Sequence, residues 1–151
     1  MARVDLKTAA HINKAMDSVI ELAVTATRED RALAVEAARR SGNPIAIRFA
    51  KFNDGRGFSL ARLLRSELDF QGEILATGHT IPDQALHLLR SGFDTVEVSE
   101  PARLPQWQKS LKSYGGAYQM AARNPLALRR EASQSLTKSR EARKIAEEIA
   151  A

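Results

Sequence analysis

Residues 54–59, Asp-Gly-Arg-Gly-Phe-Ser, bring two glycines, a guanidinium and a hydroxyl into six positions. Such a run suits an anion. Gly55 and Gly57 permit positive φ and close backbone approach. A helix beginning near Ser59 would turn its free N–H groups outward with partial positive charge. Arg56 can hold a planar oxyanion through paired hydrogen bonds, and Arg62 lies one turn beyond Ser59 on the same side. With Lys51 and Gln84 nearby, the set suits sulfate, sulfite, phosphate or a carboxylate. The same residues also admit a plain structural turn. In that reading Asp54 pairs with Arg56 or Arg62, the glycines serve geometry alone, and Arg65 is a solvated surface charge. The spacing matches neither the phosphate-loop lysine pattern nor the full dinucleotide fingerprint.

His79 is the second chemical candidate. It follows a strand and falls at the same end of the expected sheet, where an imidazole can act as acid, base or anion donor. An exposed loop histidine is the plain alternative. Gln84 stands near the start of the next helix and can reach a site there, whereas His87 and His11 read as helix surface. Glu97 and Glu100 can supply a carboxylate at or beyond the last strand. Three scattered histidines without a zinc spacing make a poor metal site. Cysteine is absent, which removes disulfides, thiol nucleophiles and cysteine-held metal or iron–sulfur centres. No redox-cofactor motif is visible, so neither cofactor nor metal is expected.

The elements that must position these groups are legible as punctuation. Residues 5–17 read as a helix capped by Asp5. Val19–Val24 is a strand candidate. Thr27 caps a helix, with Asp30 at capping-box spacing and Gly42 at its end; Leu33, Ala34, Ala37 and Ala38 form its expected inner face. Ile45–Phe49 is the clearest strand. Ser59 is expected to cap the next helix, with Leu60, Leu63, Leu64 and Leu68 facing inward and Gly72 as breaker. Residues 73–77 make a third strand, Thr80 to Gly92 a third helix, and 95–98 a fourth strand. The alternation βαβαβαβ over 19–98 implies parallel strands with right-handed crossovers. The expected fold is therefore α/β, a four-stranded parallel (βα)4 half-barrel or a small doubly wound sheet, with N- and C-terminal helices. Residues 1–120 are read as one domain, and 121–151 as a charged helical extension. Leu104, Trp107, Leu111, Tyr114 and Tyr118 recur at helical spacing, to pack on the sheet or to form a partner groove.

Composition bounds the partners. The chain has 151 residues, one domain's worth, and 44% of them are apolar, enough for a core. The net charge of +5 favours anionic partners. The positive charge is dispersed, without a basic block or aromatic-rich ribbon, so nucleic acid is not the expected partner. No signal-peptide run and no span of roughly 20 apolar residues is present, which leads to the expectation of a cytoplasmic protein with no membrane partner.

The run Phe49–Arg65, followed by Gly72-Glu73, Gly78, Asp83-Gln84 and Gly92-Phe93-Asp94, resembles a bacterial family of unknown function. The resemblance covers roughly residues 44–98, with a weaker echo at Tyr118-Gln119. Members of that family are commonly encoded beside the sulfite reductase haemoprotein and are often labelled an oxidoreductase of sulfite reduction. The family usually carries Asp after the glycine of the third strand, where this chain has His79. The resemblance implies an accessory protein of sulfite or sulfate assimilation. Such a protein would bind a small oxyanion or anionic metabolite at the Gly loop and dock on sulfite reductase. Two other readings stand beside it: a small enzyme with His79 as acid/base and Lys51, Arg56 and Arg62 as clamp, and a non-catalytic interaction module. A four-stranded parallel sheet leaves open edges, so a homo-oligomer is expected.

Overall fold

Short β-branched and aromatic runs bounded by Pro, Gly and Asp make the strands of this chain. A computed structural model describes residues 2–12 and 18–113. Among them the architecture is mixed α/β, with a six-stranded sheet and four α-helices. In chain order the strands are β1 (Ala2–Asp5), β2 (His11–Ile12), β3 (Ile20–Leu22), β4 (Ile45–Phe49), β5 (Ile74–Gly78) and β6 (Thr95–Val98). The helices are α1 (Arg28–Ser41), α2 (Arg56–Ser66), α3 (Ala85–Ser91) and α4 (Leu104–Lys112), with single 3₁₀ turns at Pro82–Gln84 and Pro101–Arg103.

The sheet runs in the order β2-β1-β6-β5-β4-β3. β3 through β6 are parallel, whereas β1 is antiparallel to both β6 and β2. The four expected strands are thus the parallel part of a wider mixed sheet. The expected N-terminal helix is corrected over residues 5–12, and its remaining positions 13–17 lie outside the described residues. Residues 2–5 form an inner strand because Ala2 and Val4 alternate into the core while Arg3 points to the other face, and the chain turns back at once through β2. Asp5 caps no helix; its carboxylate accepts the Lys7 and Thr8 N–H groups in the turn between β1 and β2.

Each parallel strand is the spatial neighbour of the one before it, so every crossover steps the same way. Right-handed crossovers then put the connecting helices on one face. A doubly wound sheet, which needs a reversal of direction, is not what forms. α1 packs on β3 and β4, and α2 on β4. Ile45, Ile47, Phe49, Ile74, Ala76, Val96 and Val98 point into that layer and are buried in one core with Phe58, Leu64 and Phe93. Ala46, Arg48, Leu75, Thr77 and Glu97 alternate onto the opposite face.

Helix α1 forms as its punctuation predicts. The Thr27 hydroxyl accepts the Asp30 N–H, the Asp30 carboxylate accepts the Thr27 N–H, and Gly42 closes the helix at φ 73°. Its buried stripe is Ala34, Val35 and Ala38, whereas Leu33 is 66% exposed, so the expected inner face was rotated by one position. The stripe through Trp107 and Leu111 on α4 is buried, and that helix packs against α3 and β1. The helix expected from Thr80 begins instead as the 3₁₀ turn at Pro82 and becomes α-helical at Ala85. Tyr114, Tyr118, Gln119 and the charged extension of 121–151 lie outside the described residues.

Candidate functional site

The Gly loop folds as its plainer reading had it. Helix α2 starts at Arg56, three residues before the expected Ser59 cap, with Gly55 in the N-cap position and no side-chain cap. Asp54 instead lies across the helix start. Its carboxylate accepts the Arg56 backbone N–H at 3.2 Å, Arg56 Nε at 3.0 Å and Arg56 Nη2 at 2.8 Å. The Arg56 guanidinium and then its backbone N–H hold the Asp54 carboxyl down at about 2. The Asp54 carboxylate thus occupies the start of α2 and pairs with the one guanidinium of the loop.

Gly57 is helical, and its role is packing: a Cβ there would lie 2.6 Å from the Phe49 ring. Gly55 meets nothing within 4 Å. Lys51, Ser59 and Arg62 are exposed. Gln84 donates to the Phe52 carbonyl at 2.5 Å and accepts the Ile81 N–H, which ties the 50–55 segment to the turn after β5.

Arg65 corrects the expectation of a surface charge. It is 8% exposed and donates to the carbonyls of Gly92, Phe70 and Gly72 and to Asp94 Oδ2 at 2.6 Å. Asp94 also accepts the Ile74 N–H at 2.9 Å and pairs with Lys7 at 2.7 Å. The His87 ring lies against Phe58 with ring centroids 4.2 Å apart and a tilt of 51° between them. Burial, followed by the neighbouring Arg62 and Arg90 charges, lowers its pKa below 6.5.

Among the described residues, the sheet face opposite the helices carries a cavity of about 890 Å³. That volume is in the range of small-molecule sites. Ala46 and Leu75 form its floor, although both are buried without belonging to the helix-side core. Arg48, Thr77, Gly78 and His79 stand at the carboxyl ends of β4 and β5, with Phe52 on the rim and Glu97 on β6. Ligands of parallel α/β sheets bind at this end.

Gly78 shapes the corner. Its φ is 84°, and a Cβ there would lie 2.4 Å from the Phe49 carbonyl oxygen and 3.2 Å from Arg48 Cγ. The left-handed turn lets the His79 N–H donate to Phe49 O at 2.8 Å. Arg48 is exposed and makes no ion pair among the described residues, whereas Arg103, also in the wall, is matched by Glu100 at 2.8 Å.

Of the candidates read from sequence, His79, Glu97 and Glu100 line this cavity; Lys51, Asp54, Gly55, Arg56, Gly57, Ser59, Arg62 and Gln84 do not. His79 and the loop arginines thus serve different surfaces. Arg48 and Arg3 were missed. The signal was present in strict alternation, since Ala46 and Arg48 share the face opposite Ile45, Ile47 and Phe49. Among the described residues no group of three or more His, Cys, Asp or Glu is placed to hold a metal, and no helix is long and apolar enough to cross a membrane.

A family model described as a bacterial protein of unknown function (DUF934) matches residues 23–129. No curated protein and no solved structure shows a significant match.

Proposed function

The chain belongs to that bacterial family of unknown function, and on this footing we propose that it is a binding protein for a small oxyanion or anionic metabolite. The ligand sits in the cavity on the open face of the sheet. Arg48 is the primary cation, Thr77 and His79 are its hydrogen-bonding neighbours, and Phe52 and Leu75 supply apolar contact. The observation that carries this reading is the state of Arg48. It is an exposed guanidinium, without an acidic partner among the described residues, at the ligand-binding end of a parallel strand and inside a cavity of suitable size. The 54–59 loop is the weaker site because Asp54 already neutralises Arg56.

The resemblance of residues 44–98 to proteins encoded beside sulfite reductase supports sulfite or sulfate as the first ligands to try, and an accessory role in sulfur assimilation. The one-way winding of the parallel strands supports a half-barrel form. The position of β3 at the edge of the sheet among the described residues supports self-association, and docking on the reductase is part of the same proposal. A catalytic variant uses the same cavity, with His79 as acid/base and Glu97 as the carboxylate beside it; turnover lost in His79→Gln with binding retained would favour it.

The test is thermal unfolding across sulfite, sulfate, phosphate and small carboxylates. At least one should raise the Tm of the wild type and leave Arg48→Ala unmoved. An unchanged melting curve in every oxyanion would remove the proposal.

A further inference from the structure

Among the described residues two arginines are nearly buried, and they differ in how their N–H groups are used. Every direction of the Arg65 guanidinium meets an oxygen. Arg3, 8% exposed, makes a single contact, from Nη2 to Glu73 Oε1 at 3.1 Å. That oxygen is shared with the Thr95 hydroxyl at 2.6 Å. Arg3 Nε and Nη1 are shielded from solvent and have no hydrogen-bond partner among the described residues. Buried donors of a charged group left unmade are costly, and natural chains retain them mainly where something else supplies the acceptor. Arg3 lies in the wall of the cavity that holds Arg48.

We propose that Arg3 is a second anion contact of that cavity, so that the ligand is a small molecule with two anionic groups, one on Arg48 and one on Arg3. This rests on the cavity reading above. Strand register puts the two cations in one row across the open face. Arg3 pairs with Glu97 between β1 and β6, and Arg48 pairs with Thr77 between β4 and β5. The β5–β6 ladder, which pairs Ala76 with Val96, brings Thr77 beside Glu97 at its next step. Three strand spacings of about 4.8 Å separate the Arg3 and Arg48 Cα atoms by about 14 Å, and the two long side chains shorten that span. Between them the row offers a hydroxyl and a carboxylate. The middle of the ligand therefore carries a hydroxyl or amino group more readily than a third anionic group, since Glu97 repels the latter.

The experiment is calorimetric titration of the full chain with butyrate, succinate, glutarate and adipate. One of the dicarboxylates should bind about tenfold more tightly than butyrate, the worth of one additional charge-assisted contact. Arg3→Gln should bring that dicarboxylate to within about twofold of butyrate, while Arg48→Ala should weaken both. If Arg3→Gln does not fold, Arg3→Lys, which keeps the charge but loses the planar fork, must still reduce the preference. Equal binding of butyrate and all three dicarboxylates would overturn the two-anion ligand while leaving the cavity reading standing. A preference that survives at Arg3 variants would do the same, with a structural water as the acceptor. Failure of every carboxylate and of sulfate to bind would overturn both.

Discussion

The two ends of the parallel sheet use charge in opposite ways. At the amino end of β6, Arg65 and Asp94 lie buried between α2 and the sheet, and their polar atoms are consumed by backbone and by each other. Lys7 adds its ammonium from the N-terminal turn. At the carboxyl end, Arg48 and His79 face a cavity, and neither of the two makes an ion pair among the described residues. A buried ion pair that is fully hydrogen-bonded holds geometry, and removing one member leaves the other uncompensated. A cation left open at the end where helices and loops leave a crevice is free to meet a ligand. The Asp54–Arg56 pair is a third case, exposed and self-neutralised, which contributes to the shape of the loop and little to either task.

This contrast can be broken in order of expected effect. Arg65→Met takes the buried cation from Asp94, which keeps Lys7 and the Ile74 N–H, and leaves three carbonyls without it; it should cost about 3 kcal/mol in urea unfolding, with anion binding retained by the folded protein. A loss below about 1 kcal/mol would mean that the clasp is not structural. Gly78→Ala forces a Cβ against the Phe49 carbonyl at φ 84° and should cost about 1–3 kcal/mol. It should weaken anion binding as well, because the same turn sets Arg48 and His79; unchanged affinity would separate the corner from the site. Arg3→Met should change stability by less than about 1 kcal/mol, or raise it, since it removes unsatisfied buried donors. A loss as large as that of Arg65→Met would erase the distinction between the two arginines.

The smallest effect concerns His87. Its folded pKa is lowered, so the folded state binds its proton less well than the unfolded chain does. Its contribution is fully present above pH 6.5 and is lost as pH falls below 6.5 toward the lowered folded value. Tm measured from pH 8 to pH 5 should therefore decline on the acidic side, and His87→Gln should flatten that decline. An identical profile in the variant would show that the burial of His87 does not disfavour the imidazolium.

Much of the fold was legible because it is punctuated locally. The Thr27–Asp30 box, Gly42, the Ile45–Phe49 strand and the βα rhythm need only nearest neighbours in sequence. β1 and β2 were not, since the pairing of residues 2–5 with β6 spans more than ninety positions and no local pattern announces it. The site divided in the same way. His79 was placed at the correct end of the sheet by strand order alone. Arg65 was misread because its charge outweighed its position, although Phe58, Ala61 and Leu64 put it on the buried stripe. Arg48 was passed over because Ile45–Phe49 was read as a strand without separating its two faces, when a sheet with helices on one face makes its alternate residues a different surface. The glycine loop drew attention through composition, and composition does not say that Asp54 will supply the anion itself.

The account turns on where the anion sits, and amide chemical-shift mapping during a sulfite titration reads that directly. Shifts centred on Arg48, Thr77, Gly78 and His79, lost in Arg48→Ala and kept in Arg56→Ala, are the predicted result. Shifts centred on Gly55 to Ser59 and lost in Arg56→Ala would contradict it and return the site to the loop.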